Sequence, residues 1–189
     1  MQRPEVARTS DDNLILEYRE LLVEELIALP YEAMSNIVTT LKTAKGLCST
    51  VFILGNGGSC ANASHLVLHL REINFFAVDL LADLPYLTAL SNDFDYDSAP
   101  AKRLQRESSP GDVLVVLSGS GKSINVIHAL VAAKSRTMHT IGLLGFGGGV
   151  AKLLCDHSIV LHSHDYGIVE DCHSTVIHLL KRLLEVTNS

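Results

Sequence analysis

Five short apolar runs recur along the chain, at Val51 to Leu54, Phe75 to Leu80, Asp112 to Leu117, Thr140 to Leu144 and Ser158 to His162. Between them lie small-residue loops and stretches with helical character at about 60–72, 84–90, 99–106, 124–135 and 169–186. A polar loop, Ser91 to Ser98, separates the second and third of these, and a short helix follows the Gly145–Gly149 run. A run that is apolar throughout reads as a strand buried on both faces. Such strands alternating with helices build parallel sheets covered on each side. Ahead of them, Leu14, Tyr18, Leu21, Leu22 and Leu29 recur at helical spacing up to Pro30, with Ser10 or Asp12 placed to cap the stretch. A second helical stretch covers Tyr31 to Lys45 and stops at Gly46. The reading is α/β: a doubly wound five-stranded parallel sheet flanked by helices, with an N-terminal helical extension at about 12–45. Residues 1–189 are read as a single domain.

With 189 residues, 47% of them hydrophobic, the chain can bury one sizeable core. Its net charge of −6 argues against nonspecific nucleic-acid binding, which needs a concentrated basic surface. Met1 to Asn13 is polar and lacks the apolar centre of a signal peptide. No stretch approaches the roughly 18–20 apolar residues that span a bilayer. Cys48, Cys60, Cys155 and Cys172 form no C-x-x-C pair, which suits buried thiols in a reducing compartment. These features imply a cytoplasmic protein with no membrane and no nucleic-acid partner.

An anion site in an acidic chain has to be local. Ser118-Gly119-Ser120-Gly121-Lys122-Ser123 follows the third apolar run and opens a helix. Such a junction leaves unpaired backbone N–H groups and a positive helix end facing one small volume, and the hydroxyls add donors without bulk. A phosphate fits this description; a plain connecting turn is the simpler alternative. The Gly121-Lys122-Ser123 tail mimics a nucleotide loop, but the first glycine of that pattern would fall at Val116. Gly55-Asn56-Gly57-Gly58-Ser59 fails the dinucleotide pattern at Cys60, and the run from Gly145 fails it at Val150. No nucleotide cofactor is therefore expected. Asn56 and Ser59 instead offer donors beside a helix start, and both loops fall at strand carboxyl ends, where ligands of such sheets collect.

His65 and His69, four residues apart, share one helix face, so both imidazoles can reach one metal or one substrate. Taken singly, each would read as a structural histidine. The last helix offers Glu170, Asp171, His173 and His178. Glu170 and Asp171 can serve as first-turn complements to the helix dipole. His178 lies eight residues on, about 80° round from Glu170, and spacing alone does not decide whether the two meet. His128, His139, His157, His162 and His164 have no partner at telling spacing and read as surface or core residues.

In combination, Gly55-Asn56-Gly57-Gly58-Ser59, His65, Asn92-Asp93-Phe94, Ser118-x-Ser120-Gly121-x-Ser123-x-Asn125-Val126, Glu170-Asp171 and His178 resemble the sugar-isomerase (SIS) domain of phosphoheptose isomerases. The resemblance covers nearly the whole chain from about Leu14. It implies a homotetramer with active sites between subunits, a bound zinc, and interconversion of sedoheptulose 7-phosphate with an aldoheptose 7-phosphate through an enediol. By position it implies that Ser118, Gly119, Ser120 and Ser123 hold the phosphate with Asn56, Gly57, Gly58 and Ser59. It also implies that Asp93 lines the sugar site, that His65 binds zinc, and that His178 is a ligand or the general acid.

Two departures bear on the chemistry. Where the family usually has a glutamate four residues after the first histidine, this chain has His69; where it usually has a glutamine eight residues before the last, this chain has Glu170. The metal set becomes His65, His69, Glu170 and His178, three imidazoles and a carboxylate that suit zinc. The catalytic candidates are His69, His178 and Glu170, since a neutral imidazole can abstract a carbon-bound proton beside a carbonyl. If zinc occupies both histidines, Glu170 is left as base. Gly119 stands where a hydroxyl residue is common, and Lys122 where asparagine is common. The expected function is a zinc-assisted sugar-phosphate isomerase. The alternative is a non-catalytic SIS-domain binding protein, a DiaA-like regulator or a sugar-phosphate sensor.

Overall fold

In the computed structural model, which describes residues 10–186, five parallel strands carry the fold. They are β1 (Thr50–Gly55), β2 (Phe76–Asp79), β3 (Val113–Ser118), β4 (His139–Leu144) and β5 (His157–Val160), in the order β2-β1-β3-β4-β5. The chain runs outward from β1 to β2 and then returns past β1 to β3. That reversal sets the switch point of the sheet between β1 and β3, whose ends pair Gly55 with Leu117. All six residues of β3 are buried, as expected of a central strand covered on both faces.

The two faces of the sheet are filled by alternate residues of the same strands. On one side, α2 (Tyr31–Gly46), α3 (Gly58–Glu72) and α8 (Tyr166–Glu185) pack onto Val51, Ile53, Val113, Val115, Leu117, Ile141 and Leu143. On the other, α5 (Ala99–Glu107), α6 (Ile124–Ser135) and α7 (Ala151–Leu154) cover Phe52, Leu54, Leu114, Val116 and Leu144. Burying each such side chain contributes roughly 1.5–3 kcal/mol, so the apolar runs that mark the strands also hold the layers together. The first helix, α1 (Ser10–Ile27), has no buried residue. Tyr18 donates to Asp171 at 2.8 Å and Glu25 accepts the backbone N–H of His162 at 3.0 Å, which lays one edge of α1 against α8 and the end of the sheet.

Several element ends differ from the sequence reading, for reasons that lie in side chains. The helix α4 (Leu84–Asp93) continues through residues expected to be loop, because Asp83 accepts from Tyr86 N–H at its start and Leu90 is buried near its end. Likewise α8 begins three residues early, where Asp165 accepts from Gly167 N–H at 2.7 Å and Ile168 N–H at 3.2 Å. The fifth strand stops at Val160 instead of His162, since the backbone of His162 and Ser163 turns to donate to Glu25. The cap expected at Ser10 or Asp12 falls differently: Ser10 already lies in the helix, and the residues before it are outside those described.

Candidate functional site

A cleft of about 320 Å³ opens at the switch point, lined by Asn56, Gly57, Gly58, Ser59, Ser118, Gly119, Ser120, Ser123, Tyr166 and Glu170. Eight of these ten come from the two glycine- and serine-rich loops after β1 and β3; Tyr166 and Glu170 come from the first turns of α8. Three helices start around the cleft. α3, entered through Gly57 at φ +57°, has no side-chain cap, and neither does α6, entered through Ser123. Only α8 is capped, by its own Asp165. Two uncapped positive helix ends converging on one volume make an anion receptor out of backbone alone.

Side chains then shape that receptor. Ser118 Oγ accepts the N–H of Gly121 at 3.0 Å, and Ser120 Oγ accepts the N–H of Lys122 at 3.2 Å. These bonds fold the loop and use only the hydroxyls' lone pairs, so their protons are available to a ligand. The loop is braced from behind, where Ala151 N–H donates to Gly121 O at 3.0 Å. A Cβ on Gly121 would collide with Gly148 O, so the close backbone approach requires glycine there. Asn56 and Asn125 exchange carboxamide bonds at 2.9 and 2.8 Å, and Tyr96 Oη donates to Asn56 Oδ1 at 2.7 Å. That lock joins the β1 loop to the start of α6. A Cβ on Gly58 would strike the Glu170 carboxylate, and one on Gly119 would stand 2.7 Å from the Tyr166 ring. Both glycines therefore admit a side chain from α8.

Farther along the paired helices α3 and α8, His65, His69 and His178 bring one ring nitrogen each within 4.8 Å of the others. Their ring centroids lie 4.3, 5.1 and 5.3 Å apart. Burial first, then the neighbouring imidazoles, pushes the His65 pKa down, which favours the neutral form that binds metal. His69 Nδ1 lies 3.2 Å from the Glu72 carboxylate, and Lys181 Nζ reaches the same oxygen at 2.6 Å. Lys181, then His69, hold the Glu72 carboxyl below the usual range. His69 Nε2 is buried without a hydrogen-bond partner. Three clustered imidazoles, one with an orphaned buried nitrogen, fit a zinc site of three protein ligands and an open fourth position.

Among the described residues, Glu170 does not join that group. It precedes His178 by eight residues, about 12 Å along one helix, and its carboxylate stands apart from the three imidazoles. Its carboxylate sits in the cleft instead, over Gly58. Asp93 lies on the last turn of α4, exposed and outside the lining of the cleft. The sequence reading missed Tyr166, Tyr96 and the pairing role of Asn125; of these, only Asn125 carried a signal, its place just inside α6.

The family model of the SIS domain matches residues 18–145. The chain is 36% identical over 178 residues to the phosphoheptose isomerase of Maridesulfovibrio salexigens, a match covering 90% of this chain and 84% of that one. It is 32% identical over 186 residues to the phosphoheptose isomerase of Trichlorobacter lovleyi, covering 95% and 92%. The solved structure of the phosphoheptose isomerase from Neisseria gonorrhoeae superposes with a TM-score of 0.88 at 27% identity, over 94% of this chain and all of that one. The chain thus belongs to the SIS-domain family, in its phosphoheptose isomerase branch.

Proposed function

We propose that this chain is a zinc-assisted aldose–ketose isomerase acting on a phosphorylated sugar of the sedoheptulose 7-phosphate type. The observation that carries the reading is the pairing of an uncapped, hydroxyl-lined cleft with a three-histidine cluster on the same two helices. His65 lies seven residues beyond Gly58, about 10 Å along α3.

The Ser118, Ser120 and Ser123 hydroxyls, with the first turns of α3 and α6, would hold the phosphate and fix the register of the sugar chain. His65, His69 and His178 would hold zinc, which supplies a Lewis acid for the carbonyl and hydroxyl oxygens. A base takes the proton from the hydroxyl-bearing carbon beside the carbonyl, giving an enediolate; a proton passes from the hydroxyl oxygen to the former carbonyl oxygen, and the base returns its own proton to the neighbouring carbon. No external oxidant or reductant is needed. With the imidazoles committed, Glu170 is the remaining base. Within one chain its carboxylate stands apart from the three imidazoles, so the reading includes a homotetramer in which Glu170 of one subunit meets the cluster of another. The outward apolar side chains of α1, among them Leu14, Ile15, Val23 and Ile27, support such an assembly. The four free cysteines suit a cytoplasmic location.

The test is turnover of five- to seven-carbon ketose phosphates by the metal-loaded enzyme. We expect isomerisation of at least one, abolished by a chelator and restored by zinc, and reduced 100-fold or more in Glu170→Gln. Turnover unaffected by both treatments would refute the assignment of zinc and base.

A further inference from the structure

We infer that Glu72, braced by Lys181, is a positioning residue for the histidine cluster: it fixes His69 as the Nδ1–H tautomer and so aims the Nε2 lone pair at the metal position. The inference rests on the zinc reading above and concerns residues that reading leaves out. Glu72 lies three residues after His69 on α3, and its Oε2 faces both His69 Nδ1 at 3.2 Å and Lys181 Nζ at 2.6 Å. Held by an ammonium, the carboxylate is ionised and can only accept. The proton in the contact with His69 must therefore reside on Nδ1. A metal-binding imidazole is neutral and has a single N–H, so in that form Nε2 is the bare acceptor.

That acceptor is buried, and nothing in the structure donates to it. Leaving a buried acceptor unsatisfied is costly, and buried polar groups are otherwise almost always paired. A cation held between His65, His69 and His178 would satisfy it. Metal-bound histidines commonly donate their second nitrogen to a carboxylate, which sets tautomer and ring orientation together. Lys181 follows His178 by three residues on α8, so its bridge to Glu72 ties together the two helices that supply the ligands.

Two measurements test this. Zinc affinity, read by competition with a chromophoric chelator, should fall about 10- to 100-fold in Glu72→Ala. It should fall much less in Glu72→Gln, whose amide oxygen still accepts from Nδ1–H, and His69→Ala serves as the reference for a lost ligand. Independently of metal, long-range ¹H–¹⁵N correlation spectra of the zinc-free protein should show His69 protonated at Nδ1, and a shift toward Nε2–H in Glu72→Ala. Zinc binding in Glu72→Ala equal to that of the wild type, or Nε2–H in the wild type itself, would overturn the inference. Wild-type protein that binds no zinc would defeat the zinc reading and the metal-directed half of this one, while the spectra would still decide whether Glu72 controls the tautomer.

Discussion

Two glycines in the cleft owe their presence to what leans over them, and both can be tested by adding a single carbon. A methyl at position 119 would stand 2.7 Å from the Tyr166 ring, so Gly119→Ala is expected to displace the ring and weaken sugar-phosphate binding about tenfold. Adding Tyr166→Ala should recover most of that loss, which a double-mutant cycle of binding isotherms would reveal; simple additivity would mean the ring is not the obstacle. At position 58 the displaced group is the Glu170 carboxylate. Gly58→Ala should therefore lower kcat by tenfold or more with the fold intact by circular dichroism. At this scale the sequence made the cleft loops visible, because small residues crowd the helix starts at Gly57–Ser59 and Ser118–Ser123. It did not reveal Tyr166, an ordinary aromatic near a helix start. Nor did it reveal Glu72 with Lys181, whose contact spans 109 positions of chain.

The central strands were legible because burial on both faces favours an unbroken apolar run, and β3 illustrates this with six buried residues in succession. Helix ends were less so, since Asp83 and Asp165 extend α4 and α8 by bonds that no periodicity announces. The helix α8 also explains why the four-residue metal set did not assemble within one chain: eight residues span more than two turns. The same helix carries His173, fully buried beneath the sheet-facing side. Burial pushes its pKa to about 4, opposed weakly by the Leu144 carbonyl, and neither ring nitrogen makes a full hydrogen bond. The unfolded chain protonates this group near pH 6.5 and the folded chain only near 4, so stability is retained above 6.5 and lost as pH falls between those values. At pH 5 the loss relative to pH 8 is about 2 kcal/mol. Urea unfolding of His173→Leu should show a pH dependence smaller than wild type by that amount; equal slopes would contradict it.

For the whole molecule, the described residues contain no helix long and apolar enough to cross a membrane, while α1 presents apolar side chains outward along its length. In the proposed homotetramer a second copy of the chain covers that surface and completes the site. If Glu170 and the histidine cluster work across subunits, Glu170→Ala and His178→Ala proteins, each inactive, should regain activity when dissociated and reassembled together. Mixtures that stay inactive would place the whole chemistry within one chain. In the proposed reaction a carbon-bound proton of a sugar phosphate moves in this site, and heavy water reads that event directly. Incubated in D₂O with five- to seven-carbon ketose phosphates, the zinc-loaded protein should place deuterium at C1 or C2 of at least one, and Glu170→Gln should not. Absence of exchange with every substrate, by protein that binds both zinc and phosphate, would contradict the isomerase and leave a binding protein.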